Sequence, residues 1–284
     1  MTKNPQKTVL ITGCSSGIGF FVAKGLKKAG FNVIATARKQ KDVERLKAEN
    51  LTSFQLDLAD SQSIKSAWDE ILKASDYKIY ALFNNGAFGL PGALEDISRE
   101  ALTFQFQTNV FGWHELTNLV IPIMRQHNEG RIIQNSSVLG FVAMPYRGAY
   151  NASKYAIEGL TDTLRLELAN TNIKLSLIEP GPVRSDFRKN AFNAFKQWID
   201  PSNSPHKHNY QALQSRLEKE GDAAPFTVGP EAVLTRVLHA LNSSKPQVRY
   251  YVTFPTYLFG TLKRFLPYAW LDSIMLKASG GGKN

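Results

Sequence analysis

Short apolar runs rich in β-branched residues alternate with helical patterns through the first two thirds of the chain, and that alternation leaves few folds open. Residues 8–12 read as a buried strand and 17–28 as a helix ending at Gly30. Residues 31–37, 52–56, 79–83, 131–136 and 173–178 read as further strands. Between them lie helical patterns over 42–48, 61–73, about 98–125 and about 150–169. Strands apolar on both faces need cover on both, which helices between parallel strands supply. Right-handed crossovers then give a doubly wound parallel α/β sheet, a Rossmann fold. The length, 284 residues of which 43% are hydrophobic, suits one such domain with a full core.

The pattern breaks at Pro180-Gly181-Pro182, and to about Pro230 the chain reads as polar and irregular. Phe187, Phe192, Phe195 and Trp198 sit inside this stretch near helical spacing. Regular pattern returns with a helix over 231–241 and a strand near 248–252. The tail, 254–277, mixes aromatic residues with cations, the composition of an interfacial segment, and a glycine run follows at 280–282. From Lys245 onward there are six basic residues and one acidic, so the net charge of +10 is concentrated here. No nucleic-acid-binding signature accompanies it. The N-terminal apolar run is too short for a signal peptide, and no stretch approaches the ~18 apolar residues of a spanning helix. The single cysteine, Cys14, excludes an internal disulfide and fits a reducing, cytoplasmic setting.

The first strand runs into Thr12-Gly13-Cys14-Ser15-Ser16-Gly17-Ile18-Gly19, where a helix opens. Glycines allow a tight turn and close approach of backbone to a pyrophosphate, and the helix N-terminus offers free N–H groups. After the second strand, where a carboxylate would bind the ribose 2′-hydroxyl of NAD, the chain has Arg38-Lys39. A guanidinium suits a 2′-phosphate, so the pair favours NADP(H) over NAD. Asp57, just after the third strand, is placed to accept from the adenine amino group, with Leu58 beside it. Cys14 reads as a small filler.

Tyr150-Asn151-Ala152-Ser153-Lys154 sets a phenol and an ammonium on one helix face. A nearby cation favours the phenolate, which predicts a lowered Tyr150 pKa and an acid/base near neutrality. In this context the chain resembles the short-chain dehydrogenase/reductase family across roughly residues 8–185. The glycine loop, Asn84-Asn85, Asn109, Ser136-Ser137, Tyr150-x-x-x-Lys154 and Pro180-Gly181 fall in the family's order. ITGCSSGIG, GRIIQNSSVLG, AYNASKYAIEGL and SLIEPGPV look like its retinol- and hydroxysteroid-dehydrogenase branch, and resemble bacterial NADP-dependent aldehyde reductases.

The resemblance implies roles. Tyr150 is the acid in reduction and the base in oxidation. Lys154 holds the nicotinamide ribose and lowers the Tyr150 pKa. Ser137 hydrogen-bonds the substrate oxygen, whereas Ser136 is structural. Asn109 holds a water that links Lys154 to solvent. Gly13, Ser15, Ser16, Gly17, Ile18, Gly19, Asn84 and Gly86 line the cofactor, and Pro180, Gly181 and Val183 sit against the nicotinamide. Residues 182–229 form a substrate lid, whose aromatic residues either face an apolar aldehyde, ketone or alcohol of steroid, retinoid or aliphatic type, with Phe187 against it, or pack under the lid as a small core. Residues 254–284 form an extension that touches a membrane surface, covers the pocket or dimerises; a homodimer or homotetramer is expected.

One departure concerns Gly86-Ala87, where the family has Ala-Gly; a need for positive φ would strain Ala87. No metal site is expected, since His114, His127, His206, His208 and His239 form no zinc pattern. Glu95-Asp96 reads as solvated loop. The glycine spacing disfavours a sugar-nucleotide epimerase, and the three-residue gap between Tyr150 and Lys154 disfavours an enoyl reductase. A 3-oxoacyl-carrier-protein-type reductase and a non-catalytic NADP(H)-binding regulator remain the alternatives.

Overall fold

The computed structural model describes residues 6–219, 221–222 and 224–279. Residues 1–5 and the glycine run at 280–282 lie outside the described residues. Seven strands form one parallel sheet in the order β3-β2-β1-β4-β5-β6-β7. They are β1 (Thr8–Ile11), β2 (Asn32–Ala37), β3 (Thr52–Gln55), β4 (Ala81–Asn84), β5 (Gly130–Asn135), β6 (Ile173–Glu179) and β7 (Arg249–Tyr251). The order reverses between β1 and β4, which opens a crevice at their carboxyl ends.

Successive residues of β1 point to opposite faces, and each face has its own core. Val9 and Ile11 pack with Val22 and Leu26 of α1 (Gly17–Lys28) and Val233 and Val237 of α9 (Glu231–Asn242). Leu10 packs on the other face with Ile64 of α3 (Ser61–Ala74) and Trp113, Leu116 and Val120 of α5 (Gly112–Gln126). Burying each such side chain contributes roughly 1.5–3 kcal/mol. Between β2 and β3 runs α2 (Gln40–Ala48).

Three elements differ from the sequence expectation. The single helix over about 98–125 is α4 (Arg99–Phe106), one π-helical turn (Gln107–Phe111) and α5. The stretch read as irregular contains α7 (Phe187–Trp198) and α8 (Lys207–Glu218). These two bury Ala191, Phe195, Tyr210 and Leu217 with Leu90, Ala101 and Ala149 as a third core. The basic–aromatic tail folds as α10 (Phe254–Phe265) and α11 (Tyr268–Ala278). Phe259, Leu271 and Met275 turn inward onto Val138, Leu139 and Val142, while Phe265, Tyr268 and Trp270 stay exposed. Among the described residues no helix is long and apolar enough to cross a membrane.

The long helix α6 (Gly148–Glu167) is tied to the sheet by Arg249. Its guanidinium meets Glu158, reaches Glu179 at 2.8 Å and Asp162 at 2.5 Å, and Glu158 also accepts from the Ser136 hydroxyl. Ser136 is thus tied into this network. Burial and the neighbouring Glu158 carboxylate push Glu179 up, and Arg249 opposes this. Removing one partner of a buried ionic network costs roughly 3–5 kcal/mol, nearer the low end here because Arg249 is partly solvated. Arg249→Met is therefore expected to lose about 3 kcal/mol at neutral pH in urea denaturation. A carboxyl raised in the folded state keeps a proton that the unfolded chain releases, so the deficit shrinks as pH falls toward about 5. Equal stability of the two proteins at both pH values would remove the network from this account.

Candidate active site

The turn between β1 and α1 adopts conformations that only glycine takes without strain: φ is +69° at Gly13 and +56° at Gly17. A Cβ on Gly13 would lie 2.4 Å from Cα of Gly86, so the turn and the end of β4 touch through backbone. The Thr12 hydroxyl accepts from the N–H groups of Asn85 and Gly86, each at 2.9 Å. Asn85 donates to the carbonyls of Thr12 (3.0 Å) and Gly13 (3.3 Å) and accepts from Asn135 at 2.9 Å. Ser16 at the N-cap of α1 leaves the first-turn N–H groups without a side-chain cap among the described residues. Turn and donors together fit a pyrophosphate. Cys14 is buried on the Ile11 carbonyl at 3.4 Å, and burial pushes its thiol up to about 12, so it is inert filler. Neither Gly86 nor Ala87 is in the left-handed region, so the feared strain at Ala87 is absent.

Beside the turn opens a cavity of about 610 Å³. One wall is α6. Its Tyr150 ring packs edge-on to Phe187 at 5.2 Å, and its phenol faces the Ser137 hydroxyl. Lys154, one turn on, is buried: its ammonium donates to the Asn135 carbonyl at 2.7 Å and lies 4.3 Å from the Trp113 ring centroid. Trp113 in turn donates to the Gly86 carbonyl at 2.7 Å, so glycine turn, indole and ammonium form one packed unit.

The electrostatics reverse one expectation. Burial pushes the Tyr150 phenol up to about 12, while Ser137 and the Arg147 guanidinium act to lower it. Lys154 is not the cation that does so. Its own burial brings its pKa down to about 7, with Glu158 opposing, so the ammonium is itself short of solvation. Arg147 lies three residues before Tyr150, at the N-cap of α6, a proximity in sequence that could have revealed it.

Of the residues singled out from sequence, Gly13, Ser15, Ser16, Gly17, Ile18, Gly86, Ser137, Tyr150, Lys154, Pro180, Gly181, Val183 and Phe187 line this cavity together. Gly19 lies behind the turn, against the Gly13 carbonyl. Arg38, Lys39, Asp57 and Leu58 are at the carboxyl ends of β2 and β3, outside the cavity wall but alongside the turn, which donates from Cys14 N–H to the Thr36 carbonyl at 2.8 Å. Asn84 is a correction: its amide is buried against Thr117 at 3.1 Å, and the neighbouring Asn85 is the asparagine of the cavity. The Asn109 amide donates to the Phe88 carbonyl (2.9 Å) and Ser153 hydroxyl (3.1 Å) and accepts from Phe88 N–H (3.1 Å), so the side chain helps position α6. Sequence reasoning also missed Arg188 and Arg216 in the wall, and the Arg184–Asp222 pair at 3.0 Å. Among the described residues no group of histidine, cysteine and carboxylates is arranged to hold a metal.

A family model described as short chain dehydrogenase matches residues 7–195. The oxidoreductase YbbO of Escherichia coli (strain K12) is 45% identical over 270 residues, covering 95% of this chain and 94% of the relative. Human 17-beta-hydroxysteroid dehydrogenase type 1 is 33% identical over 275 residues, covering 92% of this chain and 79% of the relative. A solved short chain dehydrogenase/reductase from Burkholderia phymatum, in complex with NAD, superposes with a TM-score of 0.75 at 26% identity, covering 98% of this chain and 97% of that one. With the family model matched over about two thirds of its length and a relative 45% identical across 95% of it, the chain belongs to the short-chain dehydrogenase/reductase family.

Proposed function

We propose that the protein is an NADP(H)-dependent oxidoreductase acting between an alcohol and the matching aldehyde or ketone on a largely apolar body. The observation that carries this reading is the convergence of Tyr150, Ser137 and buried Lys154 on the cavity that the glycine turn also lines. The bound nicotinamide supplies or takes the hydride. The chain does the rest. Tyr150, protonated at neutral pH because burial lifts its pKa, gives its proton to the carbonyl oxygen in reduction. Ser137 donates a hydrogen bond to that oxygen. Lys154 holds the nicotinamide ribose hydroxyls, and Pro180, Gly181 and Val183 bound the ring. In oxidation Tyr150 takes the proton, and Arg147 favours the phenolate this requires. Residues 182–229, with Phe187 against Tyr150, act as the lid over the substrate.

The NADP(H) preference rests on Arg38, exposed at the end of β2 with no carboxylate beside it in the sequence. Relatives in the family are solved with NAD or NADP, so the choice is made by this chain's own residues. The tail helices support a further reading, peripheral contact with an anionic lipid surface. Phe265, Tyr268 and Trp270 are 76%, 78% and 65% exposed, with Arg264 and Lys277 on the same two helices.

A screen of NADPH oxidation against retinal, steroid ketones and medium-chain aldehydes tests the activity. Tyr150→Phe is expected to cut kcat/KM by about a thousandfold while NADPH still binds, as read by nucleotide fluorescence; full turnover in that variant would refute the assigned acid. Arg38→Asp is expected to lower the NADPH-to-NADH ratio of kcat/KM by at least roughly tenfold, the scale of one charge-assisted contact. An unmoved ratio would take Arg38 out of cofactor choice. Replacing Phe265, Tyr268 and Trp270 with serine is expected to abolish partition into vesicles containing phosphatidylglycerol, and unchanged partition would end the membrane reading.

A further inference from the structure

The cavity wall contains more positive charge than a neutral apolar substrate accounts for. Its charged lining comprises Arg147, Lys154, Arg184, Arg188 and Arg216 against Asp186 and Asp222. Arg184 is paired with Asp222 through two hydrogen bonds of 3.1 and 3.0 Å. Lys154 is held by the Asn135 carbonyl. Arg188 donates to the Gly221 carbonyl through one terminal nitrogen, while its other, Nη1, is buried without a partner among the described residues. Arg147 and Arg216 make no side-chain hydrogen bond to any described residue, and each is only partly exposed.

The arginines form a row leading away from the phenol. Arg147 is close enough to favour the Tyr150 phenolate, Arg216 close enough to repel Arg147, and Arg188 close enough to repel Arg216. Along α6, Lys154 lies one turn beyond Tyr150 toward the sheet, where it donates to the Asn135 carbonyl, and Arg147 is the N-cap residue three positions before Tyr150. Arg147, Arg188 and Arg216 thus border the same cavity as Tyr150, beside Phe187 and Leu217. Like charges drawn together out of water are costly unless an anion joins them. A wholly apolar substrate would strip them of water and return nothing. A carboxylate would be gripped by two guanidinium forks.

We propose that the substrate is amphipathic: a carbonyl or alcohol on an apolar chain that also bears a carboxylate, seated on Arg147 and Arg216 and reached by Arg188. This rests on the proposed oxidoreductase reading and narrows its substrate class. The apolar wall, Phe187, Leu139 and Met144 among it, takes the chain; the arginine row takes the charged end.

The test compares 10-oxodecanoate with its methyl ester, equal in chain and reacting group and different in one charge. Wild-type kcat/KM is expected to favour the acid by about tenfold or more, the scale of one charge-assisted pair. In Arg216→Gln that ratio falls toward unity, and Arg216→Lys restores much of it. Decanedioate binding to the NADP-loaded protein, read by calorimetry, reports the same site without turnover and is lost in Arg216→Gln. Equal kcat/KM for acid and ester in the wild type overturns the proposal, as does a ratio that survives Arg216→Gln. So does a loss of NADPH affinity in Arg216→Gln as large as the loss for the acid, because the row would then serve the cofactor. Decanedioate binding that depends on Arg216, with no turnover of either aldehyde, leaves the anion site standing and removes the oxidoreductase reading instead.

Discussion

A lysine ammonium held out of water is the constraint around which this site is arranged. Lys154 has one acceptor, the Asn135 carbonyl, and one aromatic face, Trp113. The nearest carboxylate in its surroundings, Glu158, is already engaged by Arg249 and Ser136 and acts only from a distance. Such a charge is tolerated because everything that solvates it is fixed elsewhere. Asn135 donates to Asn85, Asn85 donates to the glycine turn, and Trp113 donates to Gly86. A shift of the turn is thereby a shift in the bed of Lys154. Phosphate cradle and ammonium are coupled by a short run of hydrogen bonds through the ends of β1, β4 and β5.

The register of α6 against that bed is set from the other side by the π turn. One extra residue per turn brings Asn109 inward, where its amide clasps Phe88 on both backbone groups and also reaches Ser153. Ser153 lies between Tyr150 and Lys154 in sequence and donates to the Tyr150 carbonyl at 2.8 Å. The Asn109 side chain therefore positions the tyrosine–lysine face. Rigid support of this kind is what keeps a proton donor within reach of its target.

Much of this was legible in the sequence, and the failures have physical reasons. The strands and the glycine turn show because they are local: periodicity and backbone demands lie within a few residues of each other. Helices α7 and α8 are hard to read from the sequence because their apolar residues bury against distant Leu90 and Ala149, and because Pro201 and Pro205 fall between the helices, where they punctuate without breaking either. Asn84 was chosen over Asn85 although strand alternation decides between them. Leu82 packs toward α5 and Phe83 toward α1, so Asn84 follows Leu82 beneath α5 and leaves Asn85 to the turn. The sign of the Tyr150 shift was out of reach, since neighbours in sequence give the charges but not the desolvation that outweighs them.

That desolvation also changes what the cations accomplish. In water a guanidinium one turn away moves a phenol's pKa little; in a dry wall the same separation counts for several times more. Arg147, at the N-cap of α6, is the cation that acts on the Tyr150 phenol. The burial that holds it protonated, up to about 12, thus also strengthens the field that stabilises it once the proton has gone. An acid reluctant to ionise in the resting cavity and well supported after transfer suits a group that must give a proton only to a developing alkoxide. The same field bears on the amphipathic substrate proposed above. A carboxylate on Arg147 and Arg216 would neutralise part of the charge nearest the phenol and raise its pKa further, so that docking the anionic end makes Tyr150 a firmer keeper of its proton until the hydride has moved.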